Sequence, residues 1–190
     1  MHSVHRNMHL LALGSNATGE SSSNAGLLAQ AYDAIKAGLS GTLRSSRLFS
    51  TPAFPKGSGP DFVNACAVVE SDLSPEAMLA LCHRIEAEMG RVRTRRWGQR
   101  VIDIDLLAVG DQILPDRATV THWMELPLED QMRLAPEHLL LPHPRLHQRG
   151  FVLVPLADVA PDWVHPLTGQ SVRAMLEALD PAEIAEIRPI

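Results

Sequence analysis

The chain has 190 residues, 45% of them hydrophobic and 21% charged, with a formal net charge of −5. That length carries a hydrophobic core and fits a single domain over 1–190, while the negative balance argues against a general nucleic-acid binder. No apolar run approaches the ~18 residues of a membrane span. The run in "MHSVHRNMHLLALG" is too short for a signal-peptide core, so the expected location is the cytoplasm.

In chain order, "MHLLALG" (8–14) reads as a buried strand ending in a tight turn at Ser15-Asn16. Leu27, Leu28, Ala31, Ala34, Ile35 and Leu39 then follow at helical spacing behind a Ser/Asn cluster suited to an N-cap. "TLRSSRLFST" is extended in character up to Pro52, and "PAFPKGSGP" (52–60) is too rich in Pro and Gly for regular structure. "DFVNACAVVES" is a further strand, on which Phe62 and Asn64 share a face because side chains alternate.

"SPEAMLALCHRIEAEMGR" is the clearest helix. Ser74 serves as N-cap, Pro75 takes the first position, Gly90 closes it, and Met78, Leu81, Cys82, Ile85 and Met89 form its apolar stripe. Cys66 and Cys82 sit in apolar segments and read as reduced core residues. "RVRTRRWGQR" (91–100) holds five arginines and no acid; the strand 101–109 follows, and "VGDQIL" suggests a hairpin turn at Gly110-Asp111. The order strand, helix, strand, strand, helix, strand predicts a ferredoxin-like α+β fold, an antiparallel sheet with helices packed on one face. C-terminal additions follow: an irregular, Pro-interrupted insertion at 115–141, an apolar run at 151–156 and a closing helix in "SVRAMLEAL".

The strand "RVIDIDLLAVG" poses a physical problem. Asp103 and Asp105 interrupt a core strand, and an unpaired buried charge costs several kcal/mol. On a strand the two carboxylates point the same way, about 7 Å apart, while Ile102, Ile104 and Leu106 point into the core. The pair either meets nearby arginines or holds a hard cation such as Mg²⁺, which shares oxygen ligands with substrate phosphates. The arginine island upstream completes the second possibility, because arginines grip phosphate. No G-x-x-x-x-G-K-[ST] loop is present, so phosphates would be held by arginine and metal.

"GSN", "TPAFPKGSGPDFVNA", "RIEAEMGRVR", "RWGQRVIDIDLL" and "LPHPRLHQRGFVLVPL", in that order over roughly 10–166, resemble the 6-hydroxymethyl-7,8-dihydropterin pyrophosphokinase family of folate biosynthesis. The resemblance implies a ferredoxin-like core and transfer of pyrophosphate from ATP to a pterin alcohol, with AMP and a pterin diphosphate as products. It implies two Mg²⁺ ions on Asp103 and Asp105, with Arg91 and Arg100 stabilising the charge that builds on transfer. His83, Glu86, Arg93, Trp97, Arg100, His143 and Arg149 would meet ATP. Thr51, Pro52, Phe54, Phe62, Asn64 and Phe151 would meet the pterin, two aromatics sandwiching it and the asparagine reading its edge. The partners are then ATP and the pterin, with no nucleic acid and no membrane, and a monomer is expected.

The residues leave rival readings beside these. Arg95 reads as a solvated loop residue. Trp97 either closes over substrates or anchors its loop. Glu86 and His83, three apart, also fit an exposed helix face. Phe62 and Phe151 taken alone fit core packing, and only Asn64 tips the strand toward a pocket wall. A zinc site from His143 and His147 has the spacing of a helix that Pro144 opposes. His122, His138 and His165 have no assigned role. A metal-dependent nucleotidyltransferase would place Gly14-Ser15 close before the acids, which it is not, and an RNA-binding module would want more aromatics and a basic surface. Departures from the family pattern are a shorter 91–97 loop, Gln99 before Arg100, and the insertion with Trp123, Glu125, Glu129 and Asp130. The insertion could be a decorated hairpin, a lid or an interaction surface.

Overall fold

The computed structural model describes residues 6–17, 23–53, 59–90 and 101–190. Its centre is an antiparallel sheet built from β1 (Asn7–Ser15), β2 (Thr42–Ser45), β3 (Phe49–Thr51), β4 (Phe62–Ser71), β5 (Asp103–Val109) and β6 (Arg188–Pro189). The order is β5-β1-β4-β3-β6, with β2 also pairing β4. β2 and β3 are two pieces of one interrupted strand: Thr42 to Ser45 face Glu70 to Ala67, and Phe49 to Thr51 face Asn64 to Phe62. Counting that strand once gives the ferredoxin-like order read from the sequence.

One face of the sheet carries α1 (Asn24–Ala37) and α2 (Pro75–Glu88). Ser23 and Ser74 cap them by accepting from Gly26 N–H and Ala77 N–H. Leu28, Ala31 and Ile35 from α1, and Met78, Leu81, Cys82 and Ile85 from α2, pack on Leu11, Leu13, Ala65, Ala67, Val69, Ile104 and Leu106. Each large buried side chain contributes about 1.5–3 kcal/mol, so burial outweighs the ~1 kcal/mol of each cap. Both cysteines are free and buried, and burial pushes the Cys82 thiol up to about 12.

The expectation of helices on one face is incomplete. The opposite face is covered by α5 (Gly150–Val159) and α6 (Val172–Glu177), whose Val152, Leu153, Leu156, Val172 and Met175 pack on Leu10, Cys66, Val68, Leu107 and Ala108. The apolar run 151–156 is this helix. Its residues are apolar almost all round, so no period of 3.6 marks it in sequence. The helix expected in "SVRAMLEAL" is α6, capped by Ser171, but it does not close the chain, which continues through α7 (Pro181–Ala185) to β6 on the sheet edge.

Gly110 does turn the chain, with φ +54°, yet no hairpin follows. Leu114 instead exchanges both backbone hydrogen bonds with Leu141, at 2.9 and 3.0 Å. The insertion between them contains α3 (Arg117–Glu125), capped by Asp116, and α4 (Leu128–Arg133). Among the described residues no helix is long and apolar enough to cross a membrane.

Candidate active site

Register places the site. Asp103 on β5 faces Gly14 on β1; Gly14 faces Asn64 on β4; Asn64 faces Phe49 on β3. The next row holds Asp105, Ala12 and Cys66. Alternation puts Asp103, Asp105, Gly14, Phe62 and Asn64 on the α5 face, since Ile104, Leu13 and Ala65 fill the core beneath α1 and α2. Helix α5 begins only at Gly150, so this end of the face is not roofed by its body. Two strand spacings separate Asp103 from Asn64, about 10 Å.

The middle of that row has no side chain. A Cβ on Gly14 would lie 2.6 Å from Asn64 Oδ1, so only glycine leaves the asparagine amide where it is. Asn64 is 7% exposed, and its Nδ2 donates to Thr51 Oγ1 at 2.6 Å. Thr51 is itself buried and Pro52 is half-buried. Phe62 is half-buried and Phe151 is 40% exposed, so neither is a core residue. The Arg149 guanidinium lies over the Phe151 ring, 5.5 Å from its centroid.

The acidic end is held from both sides of edge strand β5. Ser15 Oγ donates to the Val101 carbonyl at 2.6 Å, fixing the entry to the strand. Glu86 is only 2% exposed, which corrects the exposed-face reading: its Oε1 accepts from the Ile104 N–H, between the two aspartates, at 2.8 Å. His143 N–H donates to the Leu107 carbonyl at 2.7 Å, bringing "PHPR" against the same edge. Asp105 Oδ2 stands 4.0 Å from Arg149 Nη1, at the outer limit of an ion pair, with its side chain 40% exposed. That distance is too long for Arg149 to satisfy the carboxylate by itself.

Burial, with the Arg149 and Arg145 charges adding to it, holds the His143 imidazole down at about 3, so the ring is neutral at pH 7. Its Nδ1 accepts from Arg145 N–H at 3.1 Å, which assigns the ring proton to Nε2 as a donor. A cavity of about 420 Å³ opens between these groups, lined by Leu79, His83 and Glu86 of α2, Asp103 and Asp105, His143, and the insertion's end at 136–140. His138 therefore belongs to the wall, unlike His122, which is exposed on α3.

His147 meets His165, ring centroids 6.1 Å apart, while His143 turns its Nδ1 to the Arg145 N–H. Among the described residues no group of three or more His, Cys, Asp or Glu side chains is placed to share a metal. The aspartate pair on its own suits Mg²⁺, which takes one or two protein carboxylates and completes its shell with phosphate and water. Phe54, Arg91, Arg93, Arg95, Trp97 and Arg100 lie outside the described residues. Gly14, Ser15, Leu79 and the 136–140 segment were not assigned roles from sequence. The string "GSN" was the available signal for the first two, whereas the others depend on long-range packing.

The model of the 7,8-dihydro-6-hydroxymethylpterin-pyrophosphokinase family matches residues 10–161. The chain belongs to this family. It is 37% identical over 179 residues to the 2-amino-4-hydroxy-6-hydroxymethyldihydropteridine pyrophosphokinase of Methylorubrum extorquens, covering 93% of this chain and 96% of that one. The protein of the same name from Synechocystis is 35% identical over 144 residues, 76% and 60% of the two chains. Among solved structures, wild-type HPPK-DHPS of Plasmodium falciparum superposes with TM-score 0.61 at 16% identity over 91% of this chain and 44% of that one. At that identity the likeness is one of fold, and this chain spans under half the length of the solved one. By family the protein is a pyrophosphokinase, and the nucleotidyltransferase and RNA-module readings fall away.

Proposed function

We propose that this protein transfers the terminal diphosphate of ATP to the hydroxyl of 6-hydroxymethyl-7,8-dihydropterin in folate biosynthesis, with Mg²⁺ on Asp103 and Asp105. The observation that carries the reading is the row Asp103–Gly14–Asn64. A carboxylate and a hydrogen-bonding amide stand at its two ends, with a bare glycine floor between them. That span suits a flat bicyclic ring with a one-carbon arm, the ring at Asn64 and the arm reaching toward the aspartates.

The pterin lies with its edge on Asn64 and the Thr51-Pro52 backbone and its faces between Phe62 and Phe151. ATP enters the cavity with its adenosine end toward Leu79, His83 and the 136–140 wall, the more apolar side. His143 donates through Nε2 to a phosphate oxygen, and Arg149 reaches the polyphosphate from beside Asp105. Arg91, Arg93 and Arg100 add further charge from the segment joined to Val101, and Trp97 from the same segment helps close the site. Mg²⁺, which Asp103 and Asp105 would hold, would lower the negative charge on the attacked group.

Asp103 and Asp105 fix where the triphosphate sits, and Glu86 and Ser15 fix the strand that carries them. The pterin hydroxyl oxygen forms a bond to the β-phosphorus. The bond from that phosphorus to the oxygen bridging to the α-phosphorus breaks, AMP leaves, and the hydroxyl proton goes to solvent. The chain contributes positioning and charge, with no covalent intermediate. Incubation with ATP, Mg²⁺ and the reduced hydroxymethylpterin tests this. AMP and the pterin diphosphate in equal amounts are expected; ADP, or AMP release that ignores the pterin, overturns it.

A further inference from the structure

The family match ends at 161, yet the chain returns to the candidate site after it. Helix α7 and strand β6 attach at two places. Glu183 Oε1 accepts from the Gly150 N–H at 3.1 Å, the first amide of α5. Arg149 at the head of α5 has no side-chain cap, so Glu183 supplies, from 33 residues further on, a partner that a local N-cap would otherwise give. Gly150 permits the approach: a Cβ there would come within 2.7 Å of Glu183 Oε1 and 3.0 Å of Ile187 Cδ1. The second attachment is to β3, where Pro189 faces Phe49, Arg188 faces Ser50, and Ile190 N–H donates to the Leu48 carbonyl at 3.0 Å.

These two footholds flank the proposed pterin wall. Gly150 lies between Arg149 and Phe151, and β3 ends in Thr51, the partner of Asn64. The segment adds little to the core, because α7 buries none of its residues and both residues of β6 are exposed. Its hydrogen bonds fix positions more than they stabilise the fold.

We propose that the segment Asp180–Ile190 is a brace that sets the spacing of the pterin wall, with Glu183 as its positioning residue acting through the head of α5. The inference rests on the pterin assignment of Thr51, Asn64 and Phe151. Loss of the brace lets the Phe151 end drift from the β3 end. The pterin is then held less well, while the nucleotide wall at Leu79, His83 and 136–140 stays in place.

The test measures KM for the pterin and for ATP in Glu183→Ala, Glu183→Gln, a chain stopped after Ile187, and Phe151→Ala. The expected result for Glu183→Ala is a pterin KM raised at least fivefold with ATP KM within twofold. Glu183→Gln, which keeps an acceptor oxygen, returns close to wild type. An unchanged pterin KM in a folded Glu183→Ala, or equal shifts in both KM values, overturns the brace. If Glu183→Ala does not fold, the chain stopped after Ile187 decides by the same ratio. Phe151→Ala separates the two levels. A raised pterin KM there beside a normal Glu183→Ala removes the brace and keeps the wall; an unchanged one removes the wall and the brace with it.

Discussion

The two ends of the candidate site are built in opposite ways. At the amide end, Asn64 is buried and already bonded to Thr51, and Gly14 leaves room for it by lacking a side chain. At the acidic end the scaffold is equally fixed, through Glu86, Ser15 and the His143 amide, but Asp105 is 40% exposed with its arginine at 4.0 Å. One end recognises by shape prepared in advance. The other presents charge which, on the proposed function, metal and polyphosphate would complete. A selective ring pocket can be rigid, whereas a site for a triphosphate and its ions must stay open enough to be entered and left.

The largest effect should come from the charged end. Asp103→Asn and Asp105→Asn are each expected to lower turnover on the order of 10³-fold or more, because the metal and phosphate lose their anchor. Thermal unfolding should barely change, since a half-exposed carboxylate contributes little to the core. Wild-type AMP release in either variant would break the contrast between the ends.

Gly14→Ala probes the prepared end. Its Cβ collides with Asn64 Oδ1 and moves the amide off Thr51. An unmade buried hydrogen bond is worth about 1–3 kcal/mol, so pterin KM should rise about 5- to 150-fold while ATP KM holds. Steady-state kinetics with each substrate varied in turn reads this directly.

Glu86 tests whether the charged end depends on its scaffold. Glu86→Ala leaves the buried Ile104 N–H without its acceptor, at a cost of about 1–3 kcal/mol in unfolding free energy. The Mg²⁺ concentration for half-maximal activity should rise about tenfold, about what loss of a residue that orients a metal ligand costs. Glu86→Gln keeps an acceptor and should lose less on both measures; identical behaviour of the two variants would show that the hydrogen bond does not matter.

The smallest effect lies outside both ends. His165 is fully buried, and burial, helped by His147, lowers it to about 4 from 6.5. Above pH 6.5 the ring is neutral folded or unfolded, and its contribution to stability is complete. Below that, the unfolded chain takes up a proton that the folded ring refuses, so stability falls from pH 6.5 toward 4. Calorimetry across that window should show a declining Tm, flattened in His165→Gln, with the ratio of the two KM values unchanged at pH 7.

Much of the frame was legible because its causes are local. Ser74, Pro75 and the Met78-to-Met89 stripe announce α2, and the alternation around Asp103 and Asp105 assigns their face correctly. Helix α5 was not legible, since a stretch apolar on every side carries no period. The short helices of the insertion were hidden by its prolines. For Glu86 an exposed helix face stayed open beside a place on the ATP-facing edge, because its partner, Ile104 N–H, is 18 positions away and visible only once α2 lies along β5. Candidate site residues could be proposed from the family resemblance that their motifs carry, but the row that joins Asp103 to Asn64 is a matter of register. Only the paired strands reveal that Gly14 is its middle member.

The mutual pairing of Leu114 and Leu141 has a consequence for how such a protein can vary. The bridge closes the insertion at its base, so its two ends leave the sheet side by side whatever length of chain lies between them. Because 136–140 also lines the cavity, the insertion delivers its far end to the same space that Asp103 and Asp105 face.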